Sequence, residues 1–194
     1  MDKDNKPRPQ KQNSRQNGWY MLGWQKENVR RPNGKVRTDW VYRGVWYDLP
    51  PEAPRMAVRV TAAVCALTLA AVYIIAGLYP SQGSLVPYVA YPYFLGLLPL
   101  LYFLMGAFWV AYTPGAMTYR RYHASFLRLR TAAWAGAIWT IVPIAGELVF
   151  LLTGSGGDYG RELIQLLGML VCEGQYGMAL RLTKKYPVTE LESK

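Results

Sequence analysis

The sequence predicts an all-α membrane protein with four transmembrane helices and both termini in the cytoplasm, preceded by a basic and aromatic cytoplasmic segment. Three observations lead to this prediction. Apolar residues make up 52% of the 194 residues, and they gather into four blocks instead of recurring throughout the chain. The blocks have about the length that crosses roughly 30 Å of hydrocarbon. The net charge of +10 lies almost entirely outside them.

The basic residues predict the orientation of the chain. Lys and Arg occur before Val60, within residues 119–130 or from Arg181 onward, with Arg161 as the exception. Four spans bring these three regions to one side of the membrane, and an excess of positive charge is typical of the cytoplasmic side. We therefore expect a multi-pass protein of the plasma membrane with both termini in the cytoplasm.

The N-terminal part divides into two segments. Residues 1–18 are rich in Lys, Arg, Gln, Asn and Pro, which predicts a disordered basic tail without the apolar region of a signal peptide. Residues 19–56 interleave Trp and Tyr with Arg and Lys. Asn33 followed by Gly34 favours a hairpin turn, although Pro32 weakens a regular ladder. Gly44 marks a bulge or a turn.

The aromatic segment fits three kinds of partner. Stacking on single-stranded nucleic acid is the least favoured, because no recognised motif supports it. Contact with anionic lipid headgroups and docking on a protein are favoured, since Arg55 and Arg59 tie the segment to the membrane and since Trp, Tyr and Arg dominate interface hot spots. A homo-oligomer is a further possible partnership. The residues expected to bind are Trp40, Trp46, Tyr42, Arg43 and Arg37.

The apolar blocks predict the boundaries of the four helices. The predicted spans are residues 60–78, 86–112, 132–152 and 163–180, within a transmembrane domain of residues 57–182 and before a cytoplasmic tail of residues 183–194. In the first span, Ala62, Ala66 and Ala70 form a small-residue face suited to close packing. In the second span, Pro99 should kink the helix. A kink beside Tyr hydroxyls either opens a polar cavity or reflects packing of interfacial aromatics.

The third and fourth spans form a helical hairpin that contains Glu147 and Glu173, the only acidic residues inside apolar sequence. Helical spacing places polar and small residues on one stripe of each arm. Residues predicted to lie at equal depth are Glu147 and Gln165, Pro143 and Met169, Thr140 and Glu173, and Gly136 and Tyr176. Glu162 begins the stripe of the second arm. Each carboxyl group is thus expected to meet a hydrogen-bonding side chain.

Glu147 and Glu173 have three interpretations. They are protonated, hydrogen-bonded groups that hold the helices together, or they mark a proton or cation pathway or a site for a basic group. The third interpretation places residues 163–180 in the membrane interface, with Glu173 facing water. The candidate intramembrane polar site comprises Glu147, Glu173, Gln165, Thr140 and Tyr176.

The sequence contains no catalytic or metal-binding motif that we recognise. His123 is the only histidine, Cys65 and Cys172 fit no zinc or redox spacing, and no strand precedes the glycine-rich run near residue 155. We therefore expect neither an enzyme nor a cofactor. The first hypothesis is an integral membrane accessory or assembly subunit with a cytoplasmic segment that binds a partner or lipid. The alternative is a small proton- or cation-coupled transporter or conducting protein that uses Glu147 and Glu173, and a membrane enzyme ranks third.

Overall fold

A computed structural model of the chain confirms four helices long and apolar enough to cross a membrane. It describes residues 23–30, 36–113, 115–153 and 158–191. The candidate spans are Arg55–Leu78, Pro87–Ala111, Tyr119–Thr153 and Tyr159–Lys185, with mean hydropathy between 1.3 and 2.2 in their most apolar windows. The fourth span is the least apolar of the four, with a mean hydropathy of 1.3. The basic tail of residues 1–18 lies outside the described residues.

Helices form most of the structure. The first, third and fourth spans extend beyond their predicted bounds, whereas the second, Pro87–Ala111, lies within the predicted range of 86–112. The helices are α1 (Arg55–Leu78), α2 (Pro87–Leu95), α3 (Leu97–Ala111), α4 (Tyr119–Tyr122), α5 (Arg128–Thr153) and α6 (Tyr159–Lys185). A short 3-10 turn, Gly83–Leu85, precedes α2, and a π-helical stretch, His123–Leu127, joins α4 to α5. The spans lengthen at the ends where Arg and Lys occur, because these long side chains can reach water from within the helix.

The second span is divided at Gly96 instead of being bent at Pro99. Helix α2 ends at Leu95, and Pro99 lies in the first turn of α3. Pro99 has no N–H for the carbonyl of Leu95, and its ring crowds that carbonyl, so the break falls on the turn before the proline. Instead of the predicted kink at Pro99, the structure shows an interruption of the helix at Gly96, one turn before the proline.

Neighbouring helices hold the break in place. The hydroxyl of Tyr73 on α1 donates to the carbonyl of Tyr93 on α2, and the hydroxyl of Tyr93 donates back to the carbonyl of Tyr73. Their rings stack with centroids 4.5 Å apart. The indole of Trp139 on α5 donates to the carbonyl of Pro92 at 2.7 Å. The carbonyls of Pro92 and Tyr93 also accept from the N–H of Gly96, at 3.0 and 3.1 Å. The bonds from Tyr73 and Trp139 therefore add contacts from α1 and α5 to backbone groups that are already paired at the break.

Helices α1, α3, α5 and α6 pack around a common core. On α1, Ala62 and Ala66 of the predicted small-residue face are buried. A Cβ atom added to Gly106 on α3 would lie 2.7 Å from the backbone nitrogen of Leu129 on α5. Close approach through small residues is the usual packing of membrane helices, because lipid provides little hydrophobic drive for association.

Three short strands join at one end of the helical bundle. Strand β3 (Trp46–Asp48) pairs antiparallel with both β4 (Met117–Thr118) and β5 (Thr189–Leu191). These strands come from the segment before α1, the link between the second and third spans, and the segment after α6. The three regions therefore lie at the same end of the bundle. We call the opposite end, where α1 leads into α2 and α5 into α6, the loop end.

Residues up to Gly44 form a separate compact unit. Its described part is a hairpin of β1 (Trp24–Arg30) and β2 (Val36–Tyr42), paired antiparallel from Trp24 with Tyr42 to Arg30 with Val36. The predicted hairpin is thus present, and the backbone bends at Gly44 as expected. The predicted turn at Asn33 and Gly34 lies outside the described residues.

Candidate functional site

At the loop end, the connection between the first two spans folds against α5 and α6. Ser81 and Gly83 of this connection are buried. The hydroxyl of Ser81 donates to the side-chain oxygen of Gln165 on α6, and the backbone N–H of Ser84 donates to the hydroxyl of Ser81 at 3.1 Å. A polar segment thus lies inside the protein, where each of its polar groups needs a partner.

Glu162 holds this connection to α6. Its side chain is 2% exposed, and one oxygen accepts from the backbone N–H of Gln82 at 2.8 Å while the other accepts from that of Gly83 at 3.2 Å. Glu162 lies in the first turn of α6. Backbone donors and the positive end of the helix dipole both stabilise a carboxylate here.

Glu147 lies beside Glu162. Its side chain is 0% exposed, and neither of its oxygens has a hydrogen-bond partner among the residues that the structure describes. A Cβ atom built on Gly83 would lie 2.6 and 2.8 Å from the two oxygens of Glu147 and 2.7 Å from Oε2 of Glu162. The two carboxyl groups therefore meet at Gly83, where only a glycine leaves room for both. We call Glu147 and Glu162 the carboxyl pair.

The electrostatics of the carboxyl pair are unusual for a protein interior. No Lys or Arg forms an ion pair with either carboxyl group within the described parts of the chain; the nearby Arg161 pairs with the exposed Asp158 at 3.2 Å. Two buried anions in contact repel each other strongly, so such a pair holds a proton or a cation between its members. The arrangement is chemically suited to binding one positive charge.

Of the four residue pairs predicted at equal depth on α5 and α6, two lie close together and two do not form the predicted hydrogen bonds. Gly136 lies directly against the ring of Tyr176, and Pro143 and Met169 line the same cavity. However, Glu147 makes no hydrogen bond to Gln165, which instead accepts from Ser81. The matched depths follow from helix rise alone, whereas the partner of Gln165 comes from a loop that helical spacing does not describe.

The hydrogen bond predicted between Glu173 and Thr140 is also not formed. The hydroxyl of Thr140 donates to the carbonyl of Gly136 in its own helix at 2.8 Å. Glu173 is half-buried, and its Oε2 is inaccessible without a partner among the described residues. The buried position on this turn of α6 is taken by Cys172, which, like Cys65, is a free thiol. Glu173 therefore lies at the edge of the helix interface.

A small cavity lies next to the divided second span. Its volume is about 10 Å³, and its walls include Tyr73, Tyr93, Trp139 and Cys172. This volume is at or below the smallest that admits one water molecule. Of the two interpretations of the kink, packing of aromatic side chains describes most of this region.

In the N-terminal hairpin, alternation along the strands separates two faces. One face carries Trp24, Lys26, Trp40 and Tyr42; the ammonium of Lys26 lies 4.9 Å from the ring centre of Trp40, and the rings of Trp24 and Tyr42 meet edge to face at 5.4 Å. We call these four residues the aromatic face. Trp40 remains 46% exposed. Trp46 belongs to strand β3 of the other unit.

The opposite side of the hairpin carries ion pairs. Arg43 donates two hydrogen bonds to Glu27, at 2.9 and 3.0 Å, and Arg37 lies 3.3 Å from Asp39. The hydrogen bonds from Arg43 lower the pKa of the Glu27 carboxyl and raise the pKa of the Arg43 guanidinium. Both arginines predicted to bind a partner are thus engaged within the hairpin.

Glu162 lies on the polar stripe predicted for the second arm but outside the predicted intramembrane polar site. Two features of the sequence could have indicated its role. Glu162 lies three residues before Gln165, on the same face of the helix, and it lies at the end of the helix nearest the loop between the first two spans. The alternation of apolar and polar residues could not indicate that this loop would fold inward.

Comparison with protein-family models, with curated proteins and with solved structures finds no match for this chain.

Proposed function

We propose that this protein is an accessory or assembly subunit of a membrane complex, which binds a protein partner through the aromatic face of its N-terminal hairpin. The observation that carries the proposal is the separation of the two faces. The charges on one side are neutralised within the hairpin, whereas the aromatic face presents Trp40 to solvent. An exposed Trp beside half-buried aromatic residues and a basic residue resembles the composition of interface hot spots.

The orientation belongs to the same proposal. The Lys and Arg bias favours a cytoplasmic location for both termini, and for the hairpin, at the plasma membrane. The pairing of β3 with β4 and β5 supports the bias, because it brings the three basic regions to one end of the bundle. Anionic lipid headgroups near that end would attract the basic residues and add to partner binding.

Labelling of introduced cysteines tests the orientation. Tyr159 at the loop end and Leu191 in β5 are both exposed, while the native Cys65 and Cys172 are buried. In intact cells we expect an impermeant maleimide to label Tyr159→Cys and to label Leu191→Cys only after lysis. The reverse pattern would contradict the proposed orientation.

The partner-binding role is tested by changing one face of the hairpin at a time. Trp40→Ala with Lys26→Ala should release a partner that cross-links to the wild-type protein in native membranes. Gln25→Ala, on the exposed opposite side of the same strand, is the matched control and should retain it. Liposomes with and without anionic lipid distinguish a protein partner from a lipid surface. Equal cross-linking of the partner by the double variant and the control would show that the aromatic face does not bind it.

A proton- or cation-coupled transporter is the second candidate, because the carboxyl pair buries two acidic groups within the bundle. Buried acids in membrane helices often mark ion pathways. In proteoliposomes, a transporter should lose flux when Glu147→Gln is introduced, without loss of folded protein. Absence of flux in the wild-type protein would leave the accessory role as the better proposal.

A further inference from the structure

The carboxyl pair lacks the positive charge that two adjacent acids require. Glu147 is fully enclosed, and both of its oxygens face the point where Gly83 and Glu162 meet. The described residues provide no donor to them. A buried carboxyl group without a protein donor is suited to carrying a proton or binding a ligand.

The two members of the pair differ in their surroundings. Glu162 already accepts two backbone N–H groups and lies at the positive end of a helix, so this position stabilises a negative charge. Glu147 receives no such bond. We propose that Glu147 and Glu162 form a proton-sharing site: the O–H of a neutral Glu147 donates to the carboxylate of Glu162, and the pair carries one negative charge.

A metal cation fits the same space less well. The N–H groups of Gln82 and Gly83 point their hydrogens at Glu162, and a cation coordinated by those oxygens would be repelled by these positive dipole ends. A proton needs only one oxygen from each carboxyl group. It also supplies the hydrogen bond that Glu147 lacks, and a carboxyl-to-carboxylate bond is among the stronger hydrogen bonds in proteins.

The shared proton couples the connection between the first two spans to the third and fourth. Glu162 binds residues 82 and 83 on one side and contacts Glu147 of α5 on the other. The other titratable groups nearby are Tyr88 on α2, which contacts Gly146, and the exposed pair of Asp158 and Arg161. Loss of the proton to water would leave two adjacent anions, and their repulsion would separate α5 from the connection. Proton sharing between Glu147 and Glu162 is independent of whether the protein is an accessory subunit or a transporter, because it depends only on the charge of the two carboxyl groups.

Infrared spectroscopy of the purified full-length protein in detergent tests the proposal. All samples carry Glu173→Gln, so that the carboxyl group of Glu173 does not contribute to the spectrum. We call this variant the background protein. At neutral pH we expect one C=O band of a protonated carboxyl group, which Glu147→Gln abolishes. Glu162→Gln should keep the band and shift it to higher frequency, because a neutral amide is a weaker acceptor than a carboxylate.

The competing outcomes are distinct. Absence of the band in the background protein, together with a rise in melting temperature on adding Na⁺, K⁺ or Ca²⁺ that Glu147→Gln removes, would overturn proton sharing in favour of a cation site. A band unchanged in both variants would also overturn it. If Glu147→Gln does not fold, Glu147→Asp provides the second test, since proton sharing predicts that a band remains with a changed frequency.

Discussion

Glu147 and Glu173 are the same residue type in similar apolar surroundings, yet the structure places them differently. Glu147 is 0% exposed and contacts a second carboxyl group, whereas Glu173 is half-buried without an acidic neighbour among the described residues. The connection after α1 folds against the loop end, where it bonds to Glu162 and meets Glu147, whereas Glu173 lies further along α6, at the edge of the helix interface. An acidic residue inside apolar sequence therefore identifies a place to look, and the packing around it determines what it can bind.

The largest expected effect is that of Glu162→Leu, which removes the anchor of the first connection. The buried N–H of Gly83 and the partly buried N–H of Gln82 would lose their acceptor. A buried unpaired donor costs about 1 to 3 kcal/mol and a partly exposed one costs less, so we expect a loss of about 2 to 4 kcal/mol in the free energy of unfolding. Denaturation in mixed detergent micelles measures it. An unchanged stability would mean that these N–H groups find water or other acceptors.

Gly83→Ala tests the contact within the carboxyl pair. The new Cβ atom would lie 2.6 Å from Glu147 and 2.7 Å from Glu162, so the side chains must separate. We expect a loss of about 1 to 3 kcal/mol, the usual cost of overpacking. Gly174→Ala, next to Glu173, is the matched control, because a Cβ there meets nothing within 4 Å. Equal melting temperatures for the two variants would contradict the placement of Gly83.

Glu173→Leu should change stability far less than Glu162→Leu. The Oε2 atom of Glu173 is buried without a partner among the described residues, so replacing the carboxyl group with an apolar side chain breaks no described hydrogen bond. We expect a change within about 1 kcal/mol in the same denaturation assay. A loss comparable to that of Glu162→Leu would show that Glu173 has a structural partner and would remove the contrast between the two acids.

The smallest effect is expected for Glu27, an acid paired with Arg43 in the hairpin. Because Arg43 lowers the pKa of this carboxyl, the ion pair stabilises the hairpin above the ordinary pKa of glutamate. The contribution is lost as the pH falls through the lowered value. Titration of the Glu27 side chain by NMR should show this, and Arg43→Gln should return the pKa to its ordinary range. If the pKa of Glu27 stays low in Arg43→Gln, the ion pair with Arg43 is not what lowers it.

The sequence by itself determined the features that depend on local composition and helix geometry. Four long apolar runs predict four membrane helices because each must satisfy its own backbone hydrogen bonds in lipid. The constant rise of a helix then fixes relative depth across a hairpin, which is why Gly136 lies against Tyr176 as predicted.

Tertiary structure alone decided how distant segments meet. Strand β3 pairs with strands that lie far from it along the chain, and pieces of two or three residues carry no local signal. Likewise, Glu162 becomes the partner of Glu147 only because Gly83 brings a folded connection between them. Helical periodicity describes one face of one helix. The neighbour that covers this face is chosen by packing and by the need of buried N–H groups for acceptors, which act between residues that the sequence does not place together.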